Sequence, residues 1–324
     1  MSPSDEIASV LAQGKRFLLV THKDPDGDGI GSMLALGRSL THAGKDVLLL
    51  AQDPIHPPLN SLKGAHRIAQ APPARGNFDA LLALDCAERS RLGEFAHIMK
   101  DCGLVIDIDH HLMGEPFGDL NLIDPECSST GELVFRLIEE AGLPMDSDVA
   151  GNIFAAIQTD TGSFRYSNTT PEALRIAATL MERGADPWEI SNKVMHGHSL
   201  ARLKLLEMAL STVELHHGGK ISTMILSREM FEETGTLQSD SERFVDYPRF
   251  IRGVELGALI RETGQYDCKI SLRSNRWLNV ASLASRFGGG GHARAAGFEA
   301  QGSLEDVKEN FLMEAGRFFD GKGG

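Results

Sequence analysis

Apolar runs of strand length recur along the first part of the chain, at residues 17–21, 47–51, 80–84, 104–108 and 120–123, with helix-length stretches between several of them. This alternation predicts an α/β fold, a mainly parallel sheet with helices on both faces. Helix starts are legible as well. Ser129 and Glu132 have the S-x-x-E spacing of a capping box ahead of Leu133, Leu137 and Ile138, and Thr170-Pro171 and Asp186-Pro187 each pair an N-cap with proline at the first helical position. Residues 153–159 are ambiguous by periodicity, but Ser147 and Asp148 as caps favour a helix ending just before Asp160. From Asp186 to about Leu210 the chain reads as helical. Strand signals return at 220–226, 254–260 and 268–272, followed by a helix near 279–287 and a last one from Ser303. The division read from this pattern is a first domain over 1–190, a helical connector over 191–210 and a smaller α/β domain over 211–324, set across a cleft from the first.

At 324 residues the chain can bury a sizeable core. It has no apolar run of membrane-spanning length, and Ser4, Asp5 and Glu6 do not resemble a signal peptide, so the expected location is cytoplasmic, away from membranes. Cys86, Cys102, Cys127 and Cys268 lack metal or redox spacing and read as reduced thiols in or near the core. A net charge of −13 argues against a protein that wraps long duplex nucleic acid. The charge is uneven. Between Arg243 and Arg294 nine Lys/Arg stand against four acids, a locally basic stretch in an acidic chain.

Four acidic and histidine clusters sit at or just beyond the ends of apolar runs: His22/Asp26/Asp28, Asp85, Asp109/His110/His111 and Asp160. In an open parallel sheet such positions share one edge and can converge, and converged they would form a hard-ligand metal site. Each cluster alone has an ordinary reading as a turn or a helix end. Asp24, Asp26, Asp28 and Gly29 also match the start of an EF-hand loop, but Ala35 stands where the bidentate Glu is needed, and a strand precedes the loop. Near the C-terminus, Gly288 to Gly291 and His292 form a glycine run whose N–H groups can approach a phosphate.

The segments HKDPDGDGIGS, LDC, IDHH, TDTGSF, SLRS and FGGGGHARAAGF, in this order, resemble the DHH phosphoesterase superfamily. Nearly the whole chain is similar to its two-domain bacterial members, the nanoRNase and 3′-phosphoadenosine 5′-phosphate (pAp) phosphatase group. Gly29 stands where many relatives have alanine, a small-for-small difference. The resemblance implies two divalent cations, most simply Mn²⁺, with Mg²⁺ or another transition metal as alternatives. His22, Asp26 and Asp85 would hold one, and Asp28, Asp85, His110 and Asp160 the other, with Asp85 bridging. Asp109 would orient, and His111 would contact phosphate or give a proton to the leaving oxygen. Gly289, Gly290, Gly291, His292, Arg273 and Arg294 would bind substrate.

The implied activity is hydrolysis of short oligoribonucleotides, of pAp, or of both, by water attack on phosphorus. Linear or cyclic dinucleotides are the nearest alternative substrates. A manganese-dependent pyrophosphatase, a RecJ-type exonuclease and a non-catalytic nucleotide sensor fit the motifs less well. The residues leave a homodimer open.

Overall fold

The computed structural model describes residues 2–72, 77–111, 114–195 and 198–321, with the backbone alone described at His292. The chain divides into two compact units, 1–197 and 198–324. The stretch expected to act as a connector divides between them.

In the first unit the elements run α1 (Pro3–Gln13), β1 (Arg16–Thr21), α2 (Gly27–His42), β2 (Asp46–Leu50), β3 (Ile68–Ala69), β4 (Ala80–Leu84), β5 (Val105–Asp109), β6 (Leu120–Ile123), α3 (Thr130–Glu140), α4 (Ser147–Asp160), α5 (Pro171–Glu182) and α6 (Pro187–Val194). The six strands are ordered β3-β2-β1-β4-β5-β6 and all pair in parallel. Period-two alternation sorts their side chains. Leu19, Leu82, Ile106 and Ile108 face the core under α1 to α4. Leu18, Val20, Leu81, Ala83 and Val105 face Leu92, Phe95 and Ile98. Helices thus lie on both faces, α-helices on one and the 3₁₀ turns of Arg89–Asp101 on the other. Each fully buried Leu or Ile contributes about 1.5–3 kcal/mol, so the strand interiors are rigid supports for whatever their ends carry. Strand order reverses between β1 and β4, where an open α/β sheet forms a crevice at its carboxyl edge.

Expected caps are present with two changes. Ser129 accepts from Glu132 N, but the Glu132 carboxylate takes the amide and hydroxyl of Ser128, so only half of the box forms. Helix α4 is capped by Asp146, one residue before the expected caps, and Asp160 is its last residue.

The second unit comprises α7 (Leu200–Ser211), β7 (Glu214–His216), β8 (Ile221–Leu226), α8 (Arg228–Thr234), α9 (Asp246–Arg249), β9 (Leu256–Glu262), β10 (Asp267–Ser274), α10 (Val280–Ser285), β11 (Gly290–His292), β12 (Ala295–Gln301) and α11 (Leu304–Asp320). Its sheet is ordered β11-β12-β10-β9-β8-β7 and is mixed, with only β8 and β9 parallel. The short strands β3, β7 and β11 had no apolar run to announce them. None of the described helices is long and apolar enough to cross a membrane.

Candidate active site

Each of the four clusters leaves the sheet or a helix at the same edge of the first unit. His22 follows β1 and is buried. Asp26 is the N-cap of α2, and its Oδ1 accepts from the amides of Asp28 and Gly29. Asp28, in the first turn, is buried against the N-terminus of α3. Its Oδ2 accepts from Thr130 N at 2.7 Å, and its Oδ1 from Gly131 N at 2.9 Å and Ser32 Oγ at 3.2 Å. Helix N-terminal amides are well suited to a carboxylate, which explains how a 1 % exposed Asp28 is tolerated.

Asp85 follows β4 with φ 63°, in the left-handed region that costs a non-glycine residue roughly 1–2 kcal/mol. Its amide donates to Ile108 O, and its Oδ1 accepts from Thr130 Oγ1 at 3.1 Å. Strain held by a neighbouring strand and a helix terminus is characteristic of functional positions. The turn throws the carboxylate among three imidazoles. Asp85 Oδ2 lies 3.5 Å from His22 Nε2, and Oδ1 lies 3.8 Å from His110 Nε2 and 3.5 Å from His111 Nδ1.

Asp109 ends β5 and turns inward. Its Oδ1 accepts from the amides of His110 and His111 and from His111 Nδ1 at 2.6 Å, while Oδ2 accepts from Ala87 N. His110 Nε2 points to Asp28 at 3.6 Å and to Asp160 at 3.7 Å. Asn168 Nδ2 holds the Asp160 carboxylate at 2.9 Å.

Ligand atoms therefore gather in three overlapping groups, each within 4.8 Å: His22/Asp26/Asp85, Asp28/His110/Asp160, and Asp85/Asp109/His110/His111. The electrostatics of this crowd are unfavourable to the bare ions. Burial and the charges of Asp85 and Asp160 push Asp28 well above the usual carboxylate range. Burial raises Asp160 to about 7, with Asp26 and Asp85 adding to the rise against the opposing effect of His110. His22 Nε2 is buried with no hydrogen-bond partner and faces two carboxylates, while its Nδ1 lies 2.8 Å from Lys23 O. An imidazole whose Nδ1–H is held by a carbonyl presents the Nε2 lone pair, the arrangement a metal ligand needs. Mixed carboxylate and imidazole donors suit a divalent first-row cation.

Arg91, Ser32, Thr130, Gly131 and Asn168 belong to the site but carried no sequence signal of their own. For Thr130 and Gly131 the only clue is that they open a capped helix.

In the second unit, Arg273 lies on β10 opposite Ala295, and Arg294 sits in the β11–β12 turn with its Nη1 donating to Leu278 O. Ser274 N donates to Arg294 O, so the two arginines share one corner of the sheet. The glycine run is a strand and not an open loop: Gly290 pairs with Gly297 and Gly291 with Ala296. Gly289 N–H already donates to Ala284 O, which corrects the expectation that this amide is open to phosphate. A Cβ at Gly289 would meet Gly297 O at 2.2 Å, and one at Gly291 would meet Ala295 O at 2.6 Å, so tight hairpin packing accounts for these glycines. The side chain of His292 lies outside the described residues.

Comparison with known proteins agrees with this architecture. The family model for the DHH family, N-terminal domain, matches residues 16–157, and that for the DHHA1 domain matches 221–321. The chain is 34% identical to the bifunctional oligoribonuclease and PAP phosphatase NrnA of Thermus thermophilus, over 92% of this chain and 88% of that one. It is 25% identical to the protein of the same name from Bacillus subtilis, over 90% and 91% of the two chains. An exopolyphosphatase-related protein from Bacteroides fragilis superposes with a TM-score of 0.90 at 29% identity, covering 98% of both chains. The chain is a phosphoesterase that belongs to the DHH family, within its two-domain nanoRNase group.

Proposed function

We propose that this protein is a manganese-dependent phosphohydrolase that cleaves short oligoribonucleotides, pAp, or both, to mononucleotides. The observation that carries the reading is that three ligand groups overlap, two of them at Asp85 and the third through His110, with residues from the ends of β1, β4, β5 and α4. His22, Asp26 and Asp85 would hold one cation, and Asp28, Asp85, His110 and Asp160 a second. When bound, a pair of divalent cations lowers the pKa of water and offsets charge on the phosphoryl group. The donor set favours Mn²⁺ over Mg²⁺, which prefers oxygen and water.

The remaining groups divide the work. Asp109 holds His111 through Nδ1, so proton delivery to the leaving alcohol oxygen falls to His111 Nε2. Thr130 and Asn168 fix the carboxylates of Asp85 and Asp160, which spares reorganisation when charge develops. In the second unit Arg273, Arg294 and His292 would take substrate phosphates, arginine being suited to paired contacts with phosphate oxygens. The second unit, 211–324 in its functional extent, would thus recognise substrate, and 1–190 would hold the chemistry.

Net charge −13, with a basic excess confined to one stretch, favours substrates with few phosphates. The test is kcat/KM in Mn²⁺ for pAp, RNAs of two to twenty nucleotides, linear and cyclic dinucleotides and pyrophosphate. The expected profile peaks on pAp or on RNA of two to five nucleotides and falls steeply with length. A rate rising with RNA length, or a preference for pyrophosphate, contradicts it, and a preference for cyclic dinucleotides selects the alternative reading.

A further inference from the structure

Arg91 lies in the first turn of the 3₁₀ segment that follows Asp85, half-buried at the rim of the ligand cluster. Its backbone is pinned independently of its side chain: Arg91 N donates to Glu88 O at 3.1 Å, and Arg91 O accepts from Lys23 N at 2.8 Å. Among the described residues its guanidinium has no carboxylate within ion-pair distance, although five aspartates surround the neighbouring site. Its side chain instead meets an imidazole, with Nη2 2.8 Å from His22 Nδ1. The charge is close enough to act on both Asp26 and His111, residues from two sides of the cluster.

That contact conflicts with the other partner of the same nitrogen. Nδ1 can donate to Lys23 O or accept from Arg91, and it cannot do both. If Nδ1 accepts from Arg91, a neutral imidazole carries its proton on Nε2 and presents no lone pair to the carboxylate side. If Nε2 serves a cation, Nδ1 carries the proton, Lys23 O takes it, and the Arg91 donor loses its acceptor. A half-buried guanidinium in that state has several N–H groups to satisfy beside a site built to receive phosphate.

We propose that Arg91 is a substrate-binding residue of the first unit, which exchanges His22 Nδ1 for a phosphate oxygen of the nucleotide once the cations are held. The inference rests on the phosphohydrolase reading and adds to it a phosphate contact outside the arginines of the second unit.

The experiment is calorimetric titration of 5′-AMP into the full chain in excess Mn²⁺, with Mn²⁺ affinity and stoichiometry measured separately without nucleotide. For Arg91→Gln the expected result is an AMP Kd raised about 10- to 100-fold, the range of a charge-assisted hydrogen bond, with Mn²⁺ stoichiometry unchanged and Mn²⁺ affinity within about twofold. Arg91→Lys, which keeps the charge and loses the fork, should fall between. Unchanged AMP affinity in both variants overturns the proposal. So does an equal loss of Mn²⁺ affinity, which would make Arg91 a positioning residue for His22, and so does failure of the Mn²⁺-loaded wild type to bind AMP. If the wild type binds AMP through Arg91 yet hydrolyses none of the nucleotides in the substrate panel, the phosphohydrolase reading fails while the Arg91 contact stands.

Discussion

Thr130 Oγ1 donates to Asp85 Oδ1 at 3.1 Å, so the first residue of α3 holds a carboxylate from the end of a strand 45 residues earlier. The same residue gives its amide to Asp28, which ties both predicted cation positions to one helix terminus. Thr130→Val removes only the hydroxyl contact. Mn²⁺ affinity should fall about 10- to 100-fold, as for other residues that orient ligands, while circular dichroism stays that of the wild type. Unchanged affinity would show that Asp85 is held by its backbone alone.

Gly29 is less replaceable than a small-for-small exchange suggests. A Cβ there would lie 2.3 Å from Thr21 Oγ1, which itself donates to Leu84 O. Gly29→Ala should therefore cost about 1–3 kcal/mol, as overpacking of a tight site does, visible as a lower urea midpoint. A midpoint equal to that of the wild type would mean that Thr21 moves freely.

Asp107 lies two residues before Asp109 on β5, fully buried, with neither oxygen meeting a hydrogen-bond donor in good geometry. Burial raises it to about 7, and the charge of Asp109 adds to the rise. A carboxyl whose folded value lies above its unfolded one favours the folded state at low pH. That contribution is complete below about 4 and is lost as pH rises through about 7. Asp107→Asn should remove this slope and gain on the order of 1–3 kcal/mol at pH 8 relative to wild type. The check is urea unfolding of both proteins in chelator from pH 4.5 to 8. A difference between them that does not change with pH would sink the idea.

Arg294→Ala tests the division of labour between the units. With the proposed metal ligands all before residue 161, the variant should keep its Mn²⁺ stoichiometry and lose about 10- to 100-fold in kcat/KM on pAp or dinucleotides. Loss of metal would contradict the assignment, and unchanged kinetics would remove Arg294 from substrate binding.

Strand interiors were legible in the sequence because apolar runs and strand burial follow the same physics: residues 80–84 and 120–123 are β4 and β6 to the residue. The convergence of His22, Asp85, His110 and Asp160 was legible because parallel strands share their carboxyl edge. What supports those residues was not. Thr130, Asn168 and Arg91 act through contacts spanning 8 to 69 positions, made by ordinary residue types with no spacing to mark them. The glycine run misled at Gly289, whose amide is taken by Ala284 O and whose close approach to Gly297 only the partner strand explains.

The central claim is that two cations share Asp85. Its most direct test is Mn²⁺ bound per chain, measured by calorimetry and by metal analysis after gel filtration, for wild type and Asp85→Asn side by side. Asparagine tolerates the left-handed backbone at this position, so the turn should survive while the bridging charge is lost. The account predicts two ions per wild-type chain, and at most one, weakly held, in Asp85→Asn. Two tightly bound ions in the variant, or none in the wild type, would contradict it.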